Sequence, residues 1–307
     1  MPQEMPLEAP LDIVFADDHL VVLNKPSGLL AVPGKTSNEC LSLQAQAQFP
    51  DALIVHRLDM ATSGLMVMAR GIDMQRKLNA SFSAREVHKR YIAVVQGHCS
   101  NSNNAPQSLD GGVLCVGKGG GRAAAGGHGA ERSTVQASAN DSLDGAVGNS
   151  PYGATGSSEG SGLCSVSPAR CAGSSFTCAK PTALAAPGEG WCSIELPIIV
   201  DWPLRPLRKI CFETGKPSTT YWRFVGHNAT LDVSRLELEP VTGRSHQLRV
   251  HLQAIGHPIL GDTLYAPPEV AAAGPRLLLH AAELAFHHPA SGEWISFHSP
   301  DGFGAWA

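Results

Sequence analysis

Apolar positions in the first hundred residues fall in short runs separated by polar turns. Leu11 to Ala16 and His19 to Asn24 are two such runs with Asp17-Asp18 between them, which predicts a β-hairpin. Lys25-Pro26-Ser27-Gly28 breaks the second strand. Residues 38–48 are predicted to be helical, with Asn38 as cap and Leu41 as apolar anchor, and Pro50 ends that element. Leu53-Ile54-Val55 and Leu65-Met66-Val67-Met68-Ala69 read as strands flanking a polar loop. Met74, Leu78 and Phe82 recur at i, i+4 and i+8, one face of a helix over 72–84. Residues 88–96 read as a strand centred on Tyr91, Ala93 and Val95.

Between 99 and 190 this patterning stops. The segment holds 18 of the chain's 32 glycines, with much Ser, Ala and Asn. Such a stretch buries too little apolar surface to offset its conformational entropy, so a disordered Gly/Ser/Ala-rich insertion is expected. Its flanks, Val95 to Gly97 and Ser193 to Glu195, are expected to be neighbouring sheet elements. Strands are predicted over 193–199, 208–213, 219–226, 231–238, 277–286 and 294–298. A turn is predicted over 240–244 and a helix over 246–255. That helix has Ser245 as cap, Leu248, Leu252 and Ile255 as its buried face, and Gly256 as its stop. Mostly β elements with a few helices give an α+β class.

Composition adds little to this. The formal net charge of −4 does not advertise nucleic acid, and the basic signal is local. From Arg70 to Arg90 there are six basic residues, Arg70, Arg76, Lys77, Arg85, Lys89 and Arg90, against Asp73 and Glu86. Such a patch can neutralise phosphates, although an ordinary solvated helix face looks the same in one dimension. No apolar run reaches 18 residues, so no membrane span is expected. The stretch 1–12 lacks the basic and apolar regions of a signal or transit peptide. A cytoplasmic protein is expected, with an organelle open if the source is eukaryotic. The eight Cys then read as free thiols. Cys164, Cys171 and Cys178 have no C-x-x-C or paired His beside them, so no metal site is expected.

The densest polar cluster is His56-Arg57-Leu58-Asp59-Met60-Ala61-Thr62-Ser63-Gly64-Leu65. On loop chemistry alone the plainer reading is a solvated turn whose Asp59 bonds its own backbone. The order HRLD-x-x-TSGL, however, closely resembles the catalytic motif of the RluA family of pseudouridine synthases. Other blocks match in order: Asn24 to Leu29, Lys89 to Ala93 with Gly97, Gly243 to Leu252, and Gly256 to Asp262. The resemblance covers about 11–98 and 192–300. Leu196 to Pro203 and Cys211 to Pro217 are most similar to the family's short, dual-specificity type, which acts on 23S rRNA and tRNA.

The resemblance implies a single catalytic domain with the pseudouridine synthase fold: a mixed, mostly antiparallel sheet, flanking helices and a central cleft. No S4-type domain is expected before it. The implied reaction isomerises uridine to pseudouridine in RNA without metal or cofactor, by a monomer, on stem-loops of tRNA (anticodon loop, position 32 type) or large-subunit rRNA. Asp59 is the implied nucleophile. A carboxylate in a partly dry pocket stays ionised if a cation holds it, and Arg249 is the implied partner. Tyr91 matches the family's active-site tyrosine, able to stack on an extruded base. Arg57 is expected to fill the space that the flipped nucleotide leaves. Leu279 is expected under the uracil, with core packing as its alternative. Arg76, Lys77, Lys89 and Arg90 are the expected phosphate contacts. The histidines, His246 included, are read as polar or surface residues. A catalytically silent RNA-binding module on the same scaffold is the competing reading, although it would have no need of Asp59.

Overall fold

The computed structural model describes residues 11–34, 37–99 and 190–304. The 99–190 insertion therefore lies outside the described residues except at its two edges. The elements are β1 Ile13–Ala16, β2 Leu20–Lys25, α1 Leu41–Gln48, β3 Ala52–Ile54, β4 Ser63–Arg70, α2 Ile72–Ser83 and β5 His88–Gln96. After the insertion come β6 Cys192–Glu195, β7 Ile198–Val200, β8 Arg208–Ile210, β9 Thr219–Asn228 and β10 Val233–Pro240. The chain continues with α3 Gln247–Ala254, α4 Pro268–Ala273, β11 Leu279–His287 and β12 Trp294–His298. Among the described residues no helix is long and apolar enough to cross a membrane.

One ten-stranded sheet runs β1-β2-β4-β11-β5-β10-β9-β6, with β12 beside β11 and β3 beside β4. The β7–β8 hairpin stands apart from it. The expected first hairpin forms because the Asp17 carboxylate accepts the N–H groups of His19 and Leu20. β2 and β4 are apolar on both faces because both are covered. Leu20, Val22, Leu65 and Val67 pack with Leu78 of α2. Val21, Leu23, Met66 and Met68 pack with Leu41 and Ala45 of α1. The rest of the core gathers β5, β10, β11 and α3 around Trp222, Leu236 and Leu252.

The two sides of the sheet meet at one place. β4 and β11 run parallel there, in contrast to the antiparallel pairs around them, with Ser63 opposite His280 and Gly64 opposite Ala281. Gly64 has φ 113°, and a Cβ on it would lie 2.3 Å from the carbonyl oxygen of Ala281. The glycine is there because a neighbouring backbone occupies the space of a side chain.

Several expectations shift. Asn38 does not cap α1, whose N-cap is Cys40 in extended conformation. The strand expected over 193–199 breaks at Pro197 into β6 and β7, and the one over 208–213 stops at Ile210. The flanks of the insertion share a sheet but are not neighbours, since β10 and β9 stand between β5 and β6. Ser245 does not cap α3; His246 does, in a left-handed conformation without a side-chain cap bond. That helix is buried almost all round, from Gln247 to Leu252, so its apolar stripe understated its burial. Gly256, at φ 85°, ends it as expected.

Two histidines are sealed into this frame. The His251 ring bonds Thr220 Oγ1 at 2.9 Å and the Leu196 carbonyl at 3.0 Å. The His280 ring bonds Ser63 Oγ at 2.9 Å and the Ser299 carbonyl at 3.2 Å. Burial lowers both pKa values to about 4, against their backbone hydrogen bonds.

Two outcomes are expected. Gly64→Ala should destabilise the fold by at least about 2 kcal/mol, since it combines a strained φ with a backbone clash. A melting temperature equal to wild type would contradict the account of the β4–β11 contact. Acid should also weaken the fold. Unfolded imidazoles take up protons near pH 6.5, and the two buried rings only near 4. Between these values the unfolded state binds more protons, so stability present above pH 6.5 falls as pH drops. Each ring contributes about 1.4 kcal/mol per pH unit to that slope. Urea titrations across pH 6.5 to 4.5 should show His251→Gln removing one proton's worth of slope; an unchanged slope would refute the assignment.

Candidate active site

Asp59 lies on the loop between β3 and β4, just before the parallel junction. Both halves of that loop are fixed. Upstream, His56 stacks on Phe82 of α2 at 4.7 Å between centroids. Its Nε2 accepts the Val67 N–H at 3.1 Å, which leaves the ring proton on Nδ1. Burial, with the Lys89 charge second, lowers its pKa to about 3, so the ring stays neutral. Leu58 is buried beside it. Downstream, the turn after β2 grips the loop. Lys25 Nζ donates to the carbonyls of Pro26, Leu29 and Met60 at 2.8, 2.7 and 2.9 Å. Gly28 N–H donates to the same Met60 carbonyl, and Ser27 Oγ donates to that of Ala61. Lys25 is fully buried. Burial lowers its pKa to about 8, against the pull of the nearby Asp59 charge. The N-K-P-S-G block is thus a clamp on the backbone that follows Asp59.

Two groups of α3 and its N-cap face the carboxylate. Arg249 Nη1 of α3 is 3.9 Å from Asp59 Oδ2, and His246 Nε2 is 3.9 Å from the same oxygen. Arg249 is only 3% exposed. Its main partner was not foreseen. Nε and Nη2 form a fork on the Asp262 carboxylate, at 2.8 and 2.5 Å. Asp262, 1% exposed, also accepts the N–H groups of Leu264 and Tyr265. Burial alone lowers the pKa of Arg249, but the Asp262 bonds and the Asp262 and Asp59 charges outweigh it and raise it. The guanidinium also lies 5.0 Å from the centroid of the Tyr265 ring. The expected pair is therefore a chain, Asp262–Arg249–Asp59, in which Asp262 fixes the arginine and Asp59 receives its free edge. Asp262 belongs to the matched G-H-P-I-L-G-D block; its place directly after Gly261 was the signal available. A Cβ at Gly261 would lie 1.7 Å from the Arg276 carbonyl oxygen, so that turn admits no side chain.

Tyr91 of β5 is half-buried, near enough to Asp59 to feel its charge. Burial, and after it the Asp59 charge, raise its pKa, so the hydroxyl keeps its proton. Leu279 lies opposite Ala93 in β11, two residues along from Tyr91 on the same face, and is buried in the core on which Tyr91 packs. Arg57 is exposed beside Asp59. Lys89 shares the Tyr91 face, where burial, with the Arg85 charge second, lowers its pKa. Arg76 and Lys77 project from α2; Arg76 pairs with Asp73 at 3.4 Å, and Lys77 donates to the Pro289 carbonyl at 2.9 Å.

Arg90 departs from expectation. It points to the opposite face, where Glu239 accepts from it at 2.7 Å and Glu283 and Glu237 lie at 3.4 and 3.9 Å. Three carboxylates already neutralise it, so it is not a free phosphate contact. Arg70 is similarly engaged, with Asp51 and the Asp17 carbonyl. A cavity of about 520 Å³ lined by Asn24, Pro26, Gly28 and Met60 backs the loop, and Asp59 does not line it.

Comparisons with known proteins identify the family. The family model for RNA pseudouridylate synthase matches residues 19–254. The dual-specificity RNA pseudouridine synthase RluA of Escherichia coli (strain K12) is 36% identical over 300 residues, 97% of this chain and 96% of that one. The protein of the same description from Pasteurella multocida (strain Pm70) is 34% identical over the same shares. Among solved structures, human RNA pseudouridylate synthase domain containing 1 superimposes with a TM-score of 0.59. It is 22% identical and covers 97% of this chain and 87% of its own. Domain containing 4 gives 0.52, at 18% identity over 94% and 88%. With the fold, the motif order and this identity in agreement, the chain belongs to the RluA family of RNA pseudouridine synthases, isomerases that convert uridine to pseudouridine in RNA.

Proposed function

We propose that this chain acts as a monomer on a uridine in the loop of a tRNA or large-subunit rRNA stem-loop, with Asp59 as nucleophile. The observation that carries the reading is the position of Asp59. Its carboxylate is 29% exposed, on a backbone clamped from both sides, with Arg249 on one oxygen. The similar E. coli enzyme is a dual-specificity RNA pseudouridine synthase, which supports more than one kind of RNA as substrate.

In this reading the bond between N1 and C1′ breaks, the base turns, and C5 joins C1′. The C5 hydrogen leaves as a proton and N1 gains one, so no redox partner or cofactor is needed. Asp59 holds the sugar or the ring while the base is detached. Tyr91 offers a flat face and a protonated hydroxyl, with Leu279 below it. Arg57 fills the place that the base vacates. A small loop suits this chemistry, because its bases are already partly unstacked and cost less to extrude. Arg76, Lys77 and Lys89 hold the stem by its phosphates.

Asp59→Asn keeps size and hydrogen bonding but removes the nucleophile. Pseudouridine mapping should show turnover abolished, with RNA affinity largely retained because phosphates dominate affinity. Substantial conversion by this variant would refute the catalytic assignment. An anticodon stem-loop should be modified about as readily as full-length tRNA; a requirement for intact tRNA would contradict the stem-loop reading alone. Charge reversal of Arg76 and Lys77 should weaken binding equally across RNA sequences and flatten its salt dependence. A sequence-selective loss would argue against phosphate contacts.

A further inference from the structure

His246 is the residue at this site that neither the reaction scheme nor the motif reading uses. It opens α3 at φ 58°, a conformation that L side chains rarely adopt. Strain of this kind persists where surrounding contacts dictate it. The ring is largely buried, 13% exposed. One nitrogen, Nδ1, lies 2.5 Å from the Tyr265 hydroxyl; the other, Nε2, faces Asp59 Oδ2 at 3.9 Å.

The Tyr265 hydroxyl decides which nitrogen carries the proton. Tyr265 is 5% exposed, and the Arg208 N–H donates to its oxygen at 2.9 Å. Burial pushes its pKa up to about 12, so the phenol keeps its own proton. That proton needs an acceptor, and His246 Nδ1 is the one in reach. A proton on Nδ1 would set two donors face to face and leave a buried hydroxyl without an acceptor. The charged groups around the ring are Asp59, Asp262, Arg249 and Arg208. Burial dominates and lowers the His246 pKa; the two carboxylates oppose it and the two arginines add to it. The ring is therefore neutral, with its proton on Nε2.

We propose that His246 is a catalytic hydrogen-bond donor to Asp59 Oδ2, held by Tyr265 in the tautomer that carries its proton on Nε2. The inference rests on the reading of Asp59 as nucleophile. Arg249 and His246 approach the same oxygen, so Oδ1 is the one left to attack. Once Oδ1 bonds to the substrate, Oδ2 becomes a carbonyl oxygen. When that bond breaks, the electron pair returns to the carboxylate, and the two donors stabilise it as a leaving group. No proton leaves His246 in either direction. The 3.9 Å gap closes to a hydrogen bond on RNA binding, as contacts in empty active sites commonly do. Tyr265 is a positioning residue in this scheme.

The test uses the full chain labelled with ¹⁵N-histidine and an anticodon stem-loop as substrate. Nitrogen-detected correlation spectra at pH 7 should show His246 with its proton on Nε2, and Tyr265→Phe should give a mixture of tautomers. In single turnover at saturating RNA, His246→Ala should slow conversion by roughly tenfold or more, with half-saturation unchanged. His246→Gln, whose amide N–H reaches the same place, should recover most of that rate. A proton on Nδ1, a charged ring at pH 7, or an Ala variant as fast as wild type would overturn the proposal. So would Ala and Gln variants that are equally slow, the signature of a merely structural role. Wild-type protein that converts no uridine in any RNA would overturn the nucleophile reading, and the catalytic role of His246 with it. That failure is recognisable because the Nε2 tautomer signal would persist.

Discussion

A guanidinium that is 3% exposed has to be neutralised, and the site is built around that requirement. Asp262 meets most of it with a two-point fork and is itself saturated by two backbone N–H groups. The remaining edge of Arg249 has a fixed direction, and Asp59 stands in it. The stacked Tyr265 ring keeps the arginine from swinging away. The arginine does more than oppose charge, because its rigid partner makes it a ruler for the position of the carboxylate.

The carboxylate has to meet that ruler, which explains the investment in its loop. Lys25 binds three carbonyls on two segments, and His56 ties the loop to β4 and α2. These contacts converge where β4 and β11 run side by side. Tyr91 and Leu279 lie on the two strands just beyond this junction, β5 and β11. The glycine of the T-S-G-L motif therefore shapes the site indirectly: it lets two backbones approach, and that approach brings the loop, β11 and β5 together.

What could be read in the sequence was local or periodic. The Met74, Leu78 and Phe82 stripe described α2, and the flanking apolar runs located the Asp59 loop. The parts that could not be read depend on distant partners. Asp262 looks like an ordinary turn former; only the fold places it under Arg249. His246 occupies a left-handed conformation that few non-glycine residues adopt, and nothing local in the sequence marks it. Arg90 and Lys89 looked alike in a charge count, yet strand alternation separates them. With Tyr91 placed in the cleft, a period of two already assigns Lys89 to its face and Arg90 to the other. Nothing in one dimension reported the three glutamates waiting there.

The central claim is that this frame presents Asp59 to an extruded uridine. A crystal structure of the Asp59→Asn protein with an anticodon stem-loop tests it most directly. The account predicts the target uridine out of the loop stack, on Tyr91 and above Leu279, with residue 59 about 3 to 3.5 Å from C1′ or the uracil ring. Arg249 should still bridge residues 59 and 262. A uridine that stays stacked in its loop, or that binds away from residue 59, would contradict it.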